Sequence, residues 1–131
     1  EAGVLRGYFL STYSARKLGM RTTGNAGGSH NLIVRPGKRD LVGLAALMGR
    51  GLLVTELLGQ GVNYVTGDYS RGACGYWVEN GEIRHPVQEV TIAGNLKDML
   101  RGIVAVGNDV LVRGSKQVGS ILLERMTIAG A

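Results

Sequence analysis

The chain has 131 residues, a formal net charge of +5 and a hydrophobic fraction of 44%, with aromatics at only 5%. That length suits one domain, here expected to span residues 1–131, and the apolar content excludes a disordered chain and demands an aliphatic core. The basic residues are scattered, and their densest group, Arg35, Lys38 and Arg39, is broken by Pro36 and Gly37, which argues against nucleic acid as a partner.

Cys74 is the one cysteine, so an internal disulfide is excluded and a reducing compartment fits. No stretch approaches the ~20 apolar residues of a membrane span, and no secretory leader is expected. The sequence enters directly into Val4-Leu5-Arg6-Gly7-Tyr8-Phe9. That reads as entry in mid-domain, so we expect a fragment of a longer chain, with some exposed apolar surface belonging to sequence outside it. The 22 glycines follow no collagen period and sit between apolar runs, as turns, bulges and close backbone approaches.

Val4 to Leu10 reads as a short strand. Ser11 or Thr12 caps a helical turn through Lys17 and Leu18, ended by Gly19. A polar, glycine-rich loop follows from Arg21 to Ser29. His30 to Arg35 alternates weakly before the Pro36-Gly37 turn. Asp40 is an N-cap for a helix through Met48, with Leu41, Leu44, Ala45 and Met48 on one face. Leu52 to Leu58 is either a buried strand or the continuation of that helix. A second glycine-rich loop runs from Gly59 to Asp68.

Tyr76 to Arg84 carries the clearest local signal, a hairpin around Asn80-Gly81, because both central residues of a type I′ turn need positive φ. A two-residue turn pairs Val78 with Ile83, Glu79 with Glu82 and Trp77 with Arg84, the last as a cation–π pair. Asn95 and Asp98 stand at capping-box spacing at the start of a helix with Leu96, Met99, Leu100 and Ile103 as its apolar stripe. Val118 to Ile128 reads as the last strand. Thr-Ile-Ala-Gly occurs at 91–94 and again at 127–130, which suggests equivalent strand ends in one sheet. The pattern is α+β, mostly antiparallel strands with short helices.

No metal-ligand motif is present. His30 and His85 lie far apart; His85 reads as a surface strand residue, and Cys74, between Ala73 and Gly75, as a packed small hydrophobe. The loop from Gly59 to Gly67 lacks the Gly-Lys-Ser/Thr ending of a P-loop and the helix that should follow a dinucleotide fingerprint. Its glycines instead keep side chains out of the way, while Gln60, Asn63 and Thr66 offer neutral donors and acceptors. Gln60, Gly61, Asn63, Thr66, Gly67, Asp68 and Arg71 are therefore the candidate peptide- or partner-binding residues, with Arg71 able to meet a carboxylate or to form a surface salt bridge; the equal alternative is a loop that only connects two strands.

The ordered blocks Gly7–Gly19, Thr23–Gly28, Gly51–Asn63, Val65–Ala73, Trp77–Ile83, Thr91–Leu100 and Val106–Asp109 closely resemble the carboxyl-terminal region of the TldD/PmbA family, on its PmbA (TldE) side. The resemblance covers nearly the whole chain. It implies a partly barrel-like, mostly antiparallel fold and a cytoplasmic subunit that pairs with a TldD-like subunit or forms a homodimer. The assembly would degrade or process unfolded peptides. It further implies zinc in the TldD-like partner, held by a His-Glu-x-x-x-His helix and a cysteine near the carboxyl end. Here the slot for that cysteine reads Val110-Leu111-Val112-Arg113-Gly114-Ser115-Lys116, with none, so no cofactor is expected in this chain. Two alternatives remain: a competent peptidase whose ligands all lie upstream, and a nucleic-acid-linked regulator, following an older family label, modulator of DNA gyrase.

Overall fold

The computed structural model describes residues 4–26 and 28–130. They divide into two compact units, one of the described residues up to 34 with 112–117 and one of residues 35–111 with 118–130.

In the first unit, α1 (Thr12–Lys17) starts where the Ser11 hydroxyl accepts from Ser14 N–H at 3.2 Å. Lys17 lies over the Tyr13 ring, 5.2 Å from its centroid. Residues 4–10, expected as a strand, do not form one. Their end is held at Leu10, whose N–H donates to Thr23 Oγ1 at 2.8 Å and whose carbonyl accepts from Thr23 N–H at 3.1 Å and from the Thr22 hydroxyl at 2.9 Å. Side chains and backbone of two threonines thus meet the Leu10 backbone groups. The short β1 (Leu32–Ile33) runs parallel to a strand near the other end of the chain, with Leu32 opposite Lys116.

In the second unit, Asp40 Oδ1 accepts from Gly43 N–H at 2.8 Å and so caps α2 (Leu41–Met48). Gly49, at φ 67°, ends it. The next apolar run is a strand, β2 (Gly51–Leu58), because the left-handed break at Gly49 rules out helical continuation. It is half-buried over its first four residues and exposed over its last four. β3 (Asp68–Glu79) and β4 (Glu82–Asn95) form the long hairpin. Asn80 and Gly81 have φ of 55° and 78°. Val78 faces Ile83 and Glu79 faces Glu82, as the turn length dictates.

One residue further, the expected register fails. A bulge places Trp77 opposite His85, and Arg84 turns to Glu82, at 3.1 Å. The cation over Trp77 is Arg50, from the loop before β2, 5.5 Å from the ring centroid. A pairing rule read from turn length cannot anticipate an extra residue on one strand.

Next come α3 (Leu96–Arg101), β5 (Ile103–Val106), β6 (Leu111–Arg113), β7 (Lys116–Val118), β8 (Ile121–Leu123) and β9 (Thr127–Ala129). The single expected strand from Val118 to Ile128 is three pieces. Ile103, expected on the helical stripe, begins β5 because Gly102 caps the helix. The expected capping box is half made. Asn95 Oδ1 accepts from Lys97 N–H at 3.1 Å, but among the described residues Asp98 returns no bond, its side chain being a methylene shorter than Glu.

The described strands form open sheets in the orders β1-β7-β6, β2-β3-β4-β9 and β5-β8, mixed with short helices and mostly antiparallel. No barrel closes among them. The core of the four-stranded sheet is Ala73, Val90 and Ile92, with Leu52, Val54, Tyr69, Val87 and Met126 packed on it. The two Thr-Ile-Ala-Gly copies meet here: Thr91 faces Ala129, Ile92 faces Ile128 and Ala93 faces Thr127. An antiparallel pair of identical tripeptides places each Ile beside its counterpart, with Ile92 buried in the core and Ile128 exposed at the sheet edge.

Gly81 is fixed twice, by its positive φ and by α2. Its N–H donates to the Gly49 carbonyl at 2.8 Å, and a Cβ would lie 2.9 Å from Ala46 Cα. Gly81→Val should therefore cost about 3 kcal/mol, combining backbone strain with a clash against helix backbone. Asn80→Gly should be nearly neutral. Denaturant unfolding of both variants checks this; a Gly81→Val midpoint equal to wild type would show that the turn does not press on α2.

Candidate functional site

The loop between β2 and β3 is a built structure. Asn63 organises it: its Oδ1 accepts from Val65 N–H at 2.9 Å and Thr66 N–H at 3.2 Å, and its carbonyl accepts from Gly67 N–H at 2.8 Å. Asn63 N–H donates to the Asp68 carbonyl at 2.9 Å, closing the turn. The Thr66 hydroxyl donates to Asp68 Oδ2 at 2.6 Å and accepts from Asp68 N–H at 3.3 Å. Gly61 is needed for close approach, since a Cβ there would run into the Ser70 carbonyl, while Ser70 N–H bonds the Gly61 carbonyl at 2.7 Å.

A second asparagine ties this loop to α3. Asn95 Nδ2 donates to the Thr66 carbonyl at 3.1 Å and to Asp68 Oδ1 at 3.4 Å, and Leu96 N–H donates to the Gly67 carbonyl at 2.7 Å. The sequence pattern identified Asn95 only as a helix cap. Its second role depends on the Asp68–Asn95 pair that ends the hairpin ladder, a contact across 27 residues that no local pattern carries.

The seven candidate residues are thus partly brought together. Asn63, Thr66, Gly67 and Asp68 share one network, with Gly61 at its base. Gln60 is exposed at the loop's entrance and makes no hydrogen bond among the described residues. Arg71 stands apart on β3, donating from Nη2 to the Leu57 carbonyl at 3.2 Å, while its buried Nε has no partner among the described residues. The asparagine and threonine oxygens, expected to be free for a ligand, bind the loop's own amides. A side chain that can reach an N–H two or three residues ahead does so before it meets a ligand.

The corner after β5 is the other informative place. Asn108 N–H donates to the Arg39 carbonyl at 2.8 Å and its Nδ2 to the Lys38 carbonyl at 3.3 Å. Asp109 holds Ser120 twice, accepting from its hydroxyl at 2.6 Å and from its N–H at 3.0 Å. The Ser120 hydroxyl bond keeps the Asp109 carboxyl below its ordinary value of 3.8. This clamp, beside Gly119, is where the expected last strand divides.

Among the described residues no three His, Cys, Asp or Glu side chains converge as metal ligands. His85 is exposed on β4, and Cys74 is half-buried in β3 with Thr55 Oγ1 donating to its carbonyl at 3.3 Å. These residues do not fit a catalytic zinc, which needs several protein ligands at one point. Beneath α2 and β8 lies a further feature, an apolar cleft of about 730 Å³ lined by residues including Leu41, Met48, Trp77, Met99, Ile121 and Met126. Among the described residues no helix is long and apolar enough to cross a membrane.

A family model described as PmbA/TldA metallopeptidase C-terminal domain matches residues 1–130. The chain belongs to this family. Metalloprotease PmbA of Escherichia coli O157:H7 is 58% identical over 128 residues, covering 98% of this chain and 28% of that protein. A Metalloprotease PmbA homolog of Haemophilus influenzae is 56% identical over 131 residues, 99% of this chain and 29% of its own length. A crystal structure from Thermotoga maritima, described as a modulator of DNA gyrase, superposes with a TM-score of 0.86 at 44% identity, covering 98% of this chain and 32% of that one. The chain therefore spans under a third of the length of these relatives, and the family includes proteins named PmbA and proteins named TldD.

Two outcomes follow from the geometry. Asn95→Ala should lower stability by about 1–2 kcal/mol, through the lost cap and the lost tie to Thr66. It should also speed hydrogen exchange at Leu96 N–H; unchanged exchange there would mean the loop and helix are not coupled. For Asp109, the folded-state value is depressed, so its contribution is present above the unfolded value and lost as pH falls through the folded one. The melting-temperature advantage of wild type over Ser120→Ala should then be full near pH 6 and shrink below the carboxyl's ordinary value. An advantage constant down to pH 2.5 would show that the clamp does not involve the ionised carboxylate.

Proposed function

We propose that this chain is the carboxyl-terminal domain of a noncatalytic, PmbA (TldE)-like subunit of a two-subunit cytoplasmic metallopeptidase. A TldD-like partner carries the zinc, and unfolded peptides are the substrates. The loop from Gln60 to Asp68, with Arg71, faces the peptide channel or the partner.

The observation that carries this reading is the corner at Asn108 and Asp109. The resemblance places a zinc-ligating cysteine just beyond this point in the catalytic subunit. Here the stretch from Val110 to Lys116 has no cysteine, and the polar side chains before it bind backbone instead. Asn108 joins the β5 end to Lys38 and Arg39, and Asp109 joins it to Ser120. The corner has the role of a brace, which supports a subunit that shapes a chamber and leaves the chemistry to its partner.

The test uses the full-length subunit and a full-length TldD-like protein from the same cell, each purified, and a mixture of unstructured peptides. Hydrolysis is expected only when both are present, and a chelator should abolish it. Peptide hydrolysis by the full-length subunit alone, with about one zinc retained per chain, would falsify the noncatalytic reading.

A further inference from the structure

Asn-Gly is the dipeptide in which an asparagine most readily loses its side-chain amide. The glycine nitrogen attacks the asparagine Cγ, and no side chain on the glycine stands in the way. The reaction is intramolecular, so it needs neither a pocket nor a partner. Here the pair is Asn80-Gly81, at the tip of the β3–β4 hairpin.

The fold holds this pair in the wrong geometry for the reaction. Asn80 and Gly81 have φ of 55° and 78° in a two-residue turn, since Glu79 pairs with Glu82. That is a type I′ turn, whose first central residue has ψ of about +30°. Ring closure requires the Gly81 nitrogen to eclipse the Asn80 Cβ about the Cα–C bond. In a type I′ turn the two lie nearly opposite each other. The attack therefore requires the whole Asn80–Gly81 peptide plane to rotate.

That plane is fastened to α2. Gly81 N–H donates to the Gly49 carbonyl at 2.8 Å, so the attacking nitrogen is engaged and its proton held. On the side where a Cβ would stand, Gly81 presses on helix backbone: that Cβ would lie 2.9 Å from Ala46 Cα and 3.6 Å from the Ala45 carbonyl oxygen. α2 is itself held by its Asp40 cap and by buried Leu44. Asn80 is exposed, so the restraint lies in the backbone and not in burial of its side chain.

We propose that Asn80 is a deamidation site gated by the contact between the hairpin and α2. The site is closed in the native fold and opens once Gly81 leaves Gly49. In the open chain the Gly81 nitrogen, losing its proton to solvent base, bonds to Asn80 Cγ, and ammonia leaves. Water then opens the five-membered ring. Opening at the side-chain carbonyl gives aspartate, which tolerates positive φ and keeps the turn. Opening at the main-chain carbonyl gives isoaspartate. Its extra backbone methylene breaks the two-residue turn and the pairing of Val78 with Ile83. A chain that has opened here thus keeps a covalent mark at the turn that sets its register. The proposal is independent of the peptidase reading.

The experiment uses the full-length protein at mildly alkaline pH, in buffer and in guanidinium chloride. Conversion at Asn80 is followed by mass spectrometry of proteolytic peptides. It should be at least about tenfold slower in buffer, the factor that about 1.4 kcal/mol of local protection gives. Equal rates overturn the proposal. A second arm separates α2 from any other cover over the turn. Gly49→Ala strains the positive φ of Gly49 and leaves the sequence of the turn unchanged. In this variant, shown to be folded by circular dichroism, hydrogen exchange at Gly81 N–H and conversion at Asn80 should both rise about tenfold. The rate in guanidinium should stay that of wild type. Conversion left at the native wild-type rate in the folded variant overturns the gate. If Gly49→Ala does not fold, Asp40→Ala, which removes only the cap of α2, takes its place with the same two readings.

Discussion

The antiparallel ladder between β3 and β4 fixes nearly everything else in the larger unit. It runs from Glu79 opposite Glu82 at the turn to Asp68 opposite Asn95 at the far end. β2 and β9 add to its two sides, and the core residues Ala73, Val90 and Ile92 belong to its two strands. At the turn end, Gly81 meets α2 through Gly49 and Ala46. At the open end, the ladder delivers Asn95 to the loop before β3. One hairpin thus positions a helix at one end and the candidate site at the other, and a shift of register would move both.

The ladder is interrupted, and the interruptions have consequences. A bulge around Cys74 on the β4 side faces a second one on β2, between Val54 and Glu56. Opposite the first, Glu89 is held at φ 55°, a conformation that disfavours residues with a Cβ. The extra residue lets Val87 and Val90 both serve the core, which strict alternation would forbid at a spacing of three. The strained glutamate and the continuous apolar face are therefore two aspects of one irregularity.

Elements whose cause is local were legible from sequence. The Asn80-Gly81 turn, the Asp40 cap of α2 and the Asn95 cap of α3 each depend on residues within one turn of chain. What failed depends on partners far away. Residues 4–10 read as a strand but do not form one, and Thr23, 13 positions away, meets the Leu10 backbone. Arg84 lost Trp77 to Arg50 through a bulge that turn length does not encode. The last strand was divided by Asp109 reaching Ser120 across 11 positions. The candidate loop was located by its glycines and polar residues, but the hydrogen bonds by which Asn63, Thr66 and Asp68 fasten it were not legible, because they depend on the loop's folded path.

This use of polar side chains has a general physical basis. A short loop with glycines at its base gains little from packing, so its order must come from hydrogen bonds. The polar side chains best able to supply them, Asn63 and Thr66, sit within two or three residues of the amides they bind. Those groups are consumed by ordering, and the residue types left for contact are the ones with no local partner. In this chain these are Tyr64, Val65 and Gln60. The same logic holds at the Asn108-Asp109 corner, where Asn108 braces the Lys38 backbone and Asp109 holds Ser120. Polarity at these two places thus serves the scaffold of the larger unit.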